Sequence, residues 1–452
     1  MNHELWNKIT VFDLDGPPSE YGFSTRLANE NFWTKAFTKE AILEYKKFMY
    51  LAATSEWMVS PSEIVDTVWH QHLIFTQSYQ EFCAILGKQV QHVPSTHNRE
   101  EASRFKQARE RTTALYEAAF GQQPKNIWGY NNMFESLNLE KAKFKLRTFL
   151  VVGILAFIGL TVPAFFLLKP LYIHINNPGF VLGFIALSVS VLFLLEWYNR
   201  AKLRKIVSEF DPSSFVFHLQ PYELVYLKTQ QLAQVIHGEV SELVDRGIVK
   251  VNADNTLTLE KSNATTTNEQ LQVTSVLHEM GTVYYPALLN QLLTKPIFWN
   301  YANAMDAFRK YFNKSKKFGR LYYTNFIVCA VLLLLSFTRI VTGVLREKPV
   351  PAITMVTFFL VAVIIVFLIR LTRQIATTTI PGLYKQKILP ASQVQHNWQW
   401  TFFLLGSAVL ATAFIPLVNY ANRNDSSTGG CGTSCGSSCG SSCSSCGGCG
   451  GD

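Results

Sequence analysis

The segment WHQHL sets His70 and His72 two residues apart, and Asp66 stands four residues before the first of them. Imidazole and carboxylate donors bind Zn²⁺ and its first-row neighbours, and a carboxylate one turn away can also fix an imidazole tautomer for proton transfer. On an α-helix, residues two apart point roughly 200° away from each other, so both histidines can meet one ion only if the helix breaks there. Asp66 with His70 is the better-placed pair. The candidate metal set is Asp66, His70 and His72, and against it stands a simpler reading, favoured on these residues alone, of one packed and one ion-paired histidine.

A second group of reactive side chains is the series Cys431, Cys435, Cys439, Cys443, Cys446 and Cys449, separated only by Gly, Ser and Thr. Such a segment supplies no apolar core and is expected to be disordered, so any order must come from sulfur. Overlapping CxxC units at Cys443, Cys446 and Cys449 suit thiolate capture of a soft ion such as Zn²⁺ or Cu(I). In an oxidising compartment the same residues would form disulfides or crosslinks instead. No cofactor is demanded by the sequence, and a soft metal ion is the one these residues could hold. Other signatures argue against an enzyme. His278-Glu279 lacks the second histidine of a zinc protease, and two G-x-S-x-G matches between Gly432 and Gly440 lie in low-complexity sequence without the strand and helix that such a motif requires.

What positions these groups is, first, a membrane. Of 452 residues, 48% are hydrophobic and only 16% charged. The excess falls in uncharged stretches at Phe149–Leu168, about 178–195, about 322–338, Val350–Ile369 and Trp398–Val418, each close to the ~20 residues that cross a bilayer as a helix. Lysine and arginine flank them unevenly. They crowd ahead of the first stretch (Lys141, Lys143, Lys145, Arg147), after the second (Arg200, Lys202, Arg204, Lys205) and ahead of the third (Arg309 to Arg320). With five spans, this bias predicts a cytoplasmic N-terminus and an extracytoplasmic cysteine tail, which favours disulfide chemistry over metal there. Residues 1–30 lack a basic start followed by an apolar run, in keeping with that orientation. Arg339, just past the third stretch, is expected to reach out to the far interface. The net charge of +9 is largely these flanks, and attraction to anionic lipid headgroups accounts for it without a nucleic acid.

The chain therefore divides into a helical module (1–140), a transmembrane hairpin (148–197), a second cytoplasmic module (206–320), a second hairpin (322–371), a fifth transmembrane helix (398–418) and a Cys/Gly/Ser-rich tail (425–452). In the first module, Ser60, Pro61 and Glu63 read as a helix start, and helical spacing buries Val65, Trp69, His72 and Leu73. In the second, Pro221 opens a helix and an apolar stripe follows from Leu232 to Val244. Val249 and Val251 then alternate across a turn at Ala253-Asp254-Asn255 with Leu257 and Leu259, which predicts a winged-helix-like helix-helix-hairpin. The helix that would enter a DNA groove carries Glu239, Glu242 and Asp245 against Arg246, so nucleic acid is a poor partner.

Two resemblances attach to these residues. The run from Asp66 through Trp69, His70, His72, Tyr79 and Cys83, with Tyr116, Phe120, Gly121, Pro124 and Trp128 beyond it, resembles the glycine-rich domain-containing protein-like family. That resemblance implies a module without an assigned activity. The segment PYELVYLKTQ with ELVDRGIV, between membrane spans in a chain with a Cys/Gly-rich tail, is similar to bacterial multi-pass membrane proteins with cysteine-rich C-termini, and implies a bacterial cytoplasmic membrane. The fold expected is thus an all-α membrane protein with about five spans and two mainly helical cytoplasmic modules. The function expected is binding or scaffolding, with a protein partner inside and a thiol-dependent tail outside, or else metal handling or enzymatic chemistry at Asp66, His70 and His72 or at the tail.

Overall fold

A computed structural model describes residues 1–17, 19–93, 99–261, 267–391 and 397–427. The six tail cysteines lie outside the described residues. The first module contains α1 (His3–Val11), α2 (Phe23–Asn31), α3 (Lys35–Thr54), α4 (Glu63–Ile74), α5 (Thr76–Leu86), α6 (Arg99–Phe120) and the short α7 (Lys125–Trp128). The cap of α4 is Ser62, whose hydroxyl accepts from the Val65 N–H at 3.2 Å. Ser60, the expected cap, lies upstream with its own N–H donated to Thr112 Oγ1 at 2.8 Å, and Pro61 precedes the helix. Val65, Trp69 and His72 are buried as the spacing requires, and each fully buried apolar side chain of this size contributes about 1.5–3 kcal/mol. A buried carboxylate ties the module together. Glu44 accepts from Tyr116 Oη at 2.8 Å, Trp128 Nε1 at 2.7 Å and Lys47 Nζ at 2.7 Å, so its charge is both paired and hydrogen-bonded, the condition for keeping it inside.

α8 (Leu146–Ile173) and α9 (Asn177–Ser208) follow as a hairpin, and α9 runs on well past its apolar stretch. Next come α10 (Pro221–Thr229), α11 (Leu232–Asp245), β1 (Val249–Val251), β2 (Thr256–Leu259), α12 (Asn268–Met280), β3 (Val283–Tyr284), α13 (Tyr285–Leu292) and α14 (Pro296–Asn313). The helix-helix-hairpin order is present, with Val249 opposite Leu259 and Val251 opposite Leu257. Asn255 turns the hairpin at φ +62°, a left-handed conformation that asparagine tolerates. β3 adds to the far side of β2, giving the antiparallel order β1-β2-β3.

α15 (Lys316–Val344) and α16 (Pro351–Leu371) complete a set of four helices long and apolar enough to cross a membrane, together with α8 and α9. Their outward faces carry unpartnered apolar side chains such as Leu155, Val162, Phe166, Phe193, Phe358 and Val366, the surface expected where lipid is the solvent. Polar groups lace the bundle at both ends. Arg339, expected at the interface, instead turns inward at 8% exposure. Its guanidinium donates to the carbonyls of Tyr172 and Ile175 and to Asn177 Oδ1, satisfying carbonyl groups left open where α8 ends. Asn199 and Asn325, both fully buried, exchange amide hydrogen bonds of 2.9 and 2.7 Å between α9 and α15. Glu196 accepts from Arg200 at 2.6 Å, Arg370 at 2.8 Å and Gln374 at 3.1 Å.

Past α16 the chain stays helical through π-helical turns at Ile375–Thr379 and Tyr384–Ile388, around α17 (Ile380–Leu383) and before α18 (Leu389–Ala391). The stretch expected as a fifth span forms no membrane-length helix. It is broken into α19 (Trp398–Leu405), a 3₁₀ turn at Gly406–Val409 and α20 (Ile415–Ser427), with Gly406 at φ +64°. The reason is a protein partner for its apolar groups. Phe402 packs so closely on Gly238 of α11 that a Cβ there would come within 2.7 Å of its ring. Gln399 also donates to Glu242 at 3.1 Å, and the Ala411 N–H to Ser241 Oγ at 3.1 Å.

The two modules dock on one another. Asn29 Nδ2 donates to the Pro296 carbonyl at 3.0 Å, and Lys125 pairs with Asp211 at 2.5 Å. Between them lies a buried group of acids, Glu223, Glu239 and Glu269, each at most 4% exposed. The Lys35 N–H donates to Glu223 at 2.8 Å, the Lys35 ammonium to Glu269 at 2.8 Å and Tyr301 Oη to Glu269 at 3.1 Å.

Candidate metal centre

One turn of α4 separates Asp66 from His70, and both project on the face opposite the core, with Asp66 Oδ2 3.3 Å from His70 Nδ1. The third member arrives from the segment after α5. His92 Nε2 lies 2.9 Å from Asp66 Oδ1, and its ring stands 4.3 Å from that of His70. One donor atom from each of the three falls within 4.8 Å of the others. Ligand atoms at the corners of a tetrahedron with ~2.0–2.1 Å bonds stand roughly 3.3 Å apart, so small side-chain adjustments bring the set to that spacing. Two imidazoles and one carboxylate leave at least one coordination position open, the pattern of sites that admit water or a further ligand.

The motif residues build the frame for His92. Trp69 Nε1 donates to Tyr79 Oη at 3.1 Å, and Tyr79 Oη in turn donates to the Val90 carbonyl, two residues before His92. The His92 ring then rests edge-on against Trp69, with centroids 4.6 Å apart. The Trp–His pair of the motif therefore serves two purposes, one residue supporting the incoming histidine and the next completing the donor set. Asp66 and His92 also line a cavity of about 650 Å³ together with Ser62, Glu63, Arg104 and Arg109.

His72 stands elsewhere. It is fully buried, with Nδ1 2.8 Å from Tyr45 Oη and Nε2 3.1 Å from Ser78 Oγ. Phe23, Tyr79 and Phe82 surround its ring. Burial lowers its pKa to about 4, against a hydrogen bond from Ser78 that raises it, so the ring is neutral and structural. Of the expected Asp66, His70 and His72, the first two come together and are joined by His92 instead of His72, because two ring nitrogens 200° apart on one helix cannot converge. His92 sits twenty-two residues after His70 in a segment without helical or strand periodicity, and only its residue type marks it in the sequence.

Residues 28–116 match the model of the UCP032817-like family, an uncharacterised family, and the matched span contains all three donors. No curated protein and no solved structure matches the chain.

Proposed function

We propose that this is a membrane-anchored binding protein whose first module takes a divalent first-row cation, Zn²⁺ foremost, at Asp66, His70 and His92. The observation that carries the reading is the convergence of three donors from two separate segments, with His92 held in place by Trp69 and Tyr79. In the metal-free form Asp66 lies between the two imidazoles and keeps them oriented; a cation would take its place among the same atoms. The test is zinc titration of the full chain in detergent, followed by metal analysis after desalting. One zinc per chain, lost in Asp66→Asn and His92→Ala but kept in His72→Gln, is the expected result. A wild-type chain that retains no stoichiometric metal removes the proposal.

The orientation that accompanies this reading has four spans and both modules in the cytoplasm, consistent with the basic flanks. Its support is that α19 and α20 pack on α11 and α13 of the second module, which itself docks on the first. The chain leaving α20 then starts on the cytoplasmic side, opposite to the placement expected from five spans, and its thiols belong to a reducing compartment where they stay free to bind partners or soft ions. Impermeant thiol labelling of intact cells, in a chain with Cys83 and Cys329 changed to Ser, should give no signal until the membrane is opened; labelling of unopened cells would restore five spans.

A further inference from the structure

Neither α9 nor the helix that follows α16 stops at the edge of the apolar region. α9 continues to Ser208, and the chain beyond Leu371 continues through the two π-helical turns. Widened turns of this kind occur inside helices mostly at functional places. Between the two continuations is a cavity of about 570 Å³, lined by the apolar side chains of Val207, Phe217, Leu383 and Ile388 and by Arg200, Arg204 and Lys387. No acidic side chain among the described residues lines it. Of the carboxylates on α9 and at its end, Glu196 is already shared by Arg200 and Arg370 and Glu209 is paired with Lys317, and neither Arg204 nor Lys387 has an ion pair among the described residues. Gly382 also lines the cavity, and a Cβ added there would meet nothing within 4 Å.

We infer that this cavity binds the headgroup phosphate of an anionic phospholipid. Its position fits. Arg200 stands one turn, about 5.4 Å, beyond Glu196, and Glu196 with Arg370 marks the end of the apolar spans, so the cavity opens at headgroup depth. The lining fits as well, because Arg204 and Lys387, which have no ion pair among the described residues, are there for the phosphate while four apolar side chains cover the glycerol and the first acyl carbons. A free phosphate has no use for that apolar half. Basic pockets between transmembrane helices on the cytoplasmic side hold anionic headgroups for the same electrostatic reason. This site is independent of the metal centre and shares no residue with it.

The experiment is native mass spectrometry of the full chain, delipidated in a neutral detergent and titrated with phosphatidylglycerol or phosphatidylcholine. One phosphatidylglycerol retained per chain, without phosphatidylcholine, is expected. Arg204→Gln and Lys387→Gln should each weaken retention about fivefold, the equivalent of ~1 kcal/mol per surface cation. Gly382→Leu, which fills the space without changing charge, should abolish it at an unchanged Tm; should that variant unfold, the two glutamine variants carry the test. Arg373→Gln removes a nearby exposed cation that does not line the cavity and should leave retention as it was. Equal loss in Arg373→Gln and Arg204→Gln, or equal retention of phosphatidylcholine, would reduce the effect to general attraction and overturn the proposal. Displacement of the lipid by inorganic phosphate at matched concentration would overturn it too, and assign the cavity to a soluble anion.

Discussion

Two clusters of ionisable side chains in this molecule are built to opposite ends. Asp66, His70 and His92 meet at the surface, where the His70 side chain is 57% exposed and a cavity gives access to the other two. Glu223, Glu239 and Glu269 meet between the modules, each almost fully buried, facing one ammonium group from the half-exposed Lys35, which with Glu269 lines a cavity of about 430 Å³. The first arrangement can exchange what it holds. In the second the charges are fixed partners of the fold, and adjacent carboxylates share too little positive charge to ionise freely. Burial pushes the Glu223 carboxyl up to about 7, against backbone hydrogen bonds from Gln220 and Lys35. Burial and the neighbouring Glu269 and Glu242 push Glu239 well above its ordinary range. Burial also acts on Glu269, but the Lys35 ammonium overrides it and holds that carboxyl low. The lesson is that a cluster of ionisable groups signals ligand binding only where its donor atoms remain reachable.

The sharpest way to break this contrast uses the two histidines of one helix. His72→Ala opens a cavity inside an aromatic cage and should lower the stability of the full chain by about 4 kcal/mol, with zinc stoichiometry intact in whatever fraction remains folded. His70→Ala should lower metal-free stability by less than about 0.5 kcal/mol while removing zinc retention. Thermal unfolding with metal analysis reads both, and a reversal of the two would place the metal in the core.

The buried cluster should announce itself in pH dependence. With a carboxyl at about 7 in the folded chain and 4.5 as the ordinary value, the folded state binds the proton more tightly than the unfolded state. Stability from Glu223 is then fully present below pH 4.5 and is lost as the pH rises towards 7, on the order of 3 kcal/mol in all. Unfolding of Glu223→Gln compared with wild type across that window should show the slope flattened; parallel curves would mean the carboxyl is not protonated in the fold.

For the open cluster, Zn²⁺ at 100 times its dissociation constant should stabilise the wild-type chain by about 2.7 kcal/mol, and Asp66→Asn should cancel that gain. A Tm that rises equally in the variant would move the cation elsewhere. The smallest effect belongs to Glu239→Gln, which replaces an acid that burial pushes well above its ordinary range and whose Oε2 has no hydrogen-bond partner among the described residues. Less than about 1 kcal/mol in either direction is expected at neutral pH, whereas a loss above 3 kcal/mol would reveal an ionised carboxylate there.

Much of the architecture was legible in the sequence because it rests on periodicity. The four membrane helices, the hairpin register of Val249 and Leu259, and the buried face of α4 all follow from spacing alone. The fifth apolar stretch misled for a physical reason. Trp398, Phe402 and Phe403 are as apolar as any lipid-facing residue, and the close approach that receives Phe402 is offered by a glycine at 238 on a distant helix. Of the three convergent donors, two were legible. Asp66 and His70 share a helix and obey its geometry, whereas His92 is placed by the Trp69–Tyr79–Val90 chain of hydrogen bonds, a tertiary relation that no local spacing encodes. The joint between the modules was invisible, since Lys35 and Glu269 are 234 residues apart.

The continuity of α9 bears on mechanics. Its 32 residues form one helix, about 48 Å long at 1.5 Å per residue, without a proline or π-turn beyond its first turn to act as a joint. The Asn199–Asn325 amide exchange locks it against sliding along α15. What remains to it is tilt. A rocking of 5° about its far end, where Arg339 pins the neighbouring turn, sweeps the near end through about 4 Å, more than the length of a hydrogen bond. A disturbance on one face of the membrane is in this way delivered, enlarged, to the base of the second module.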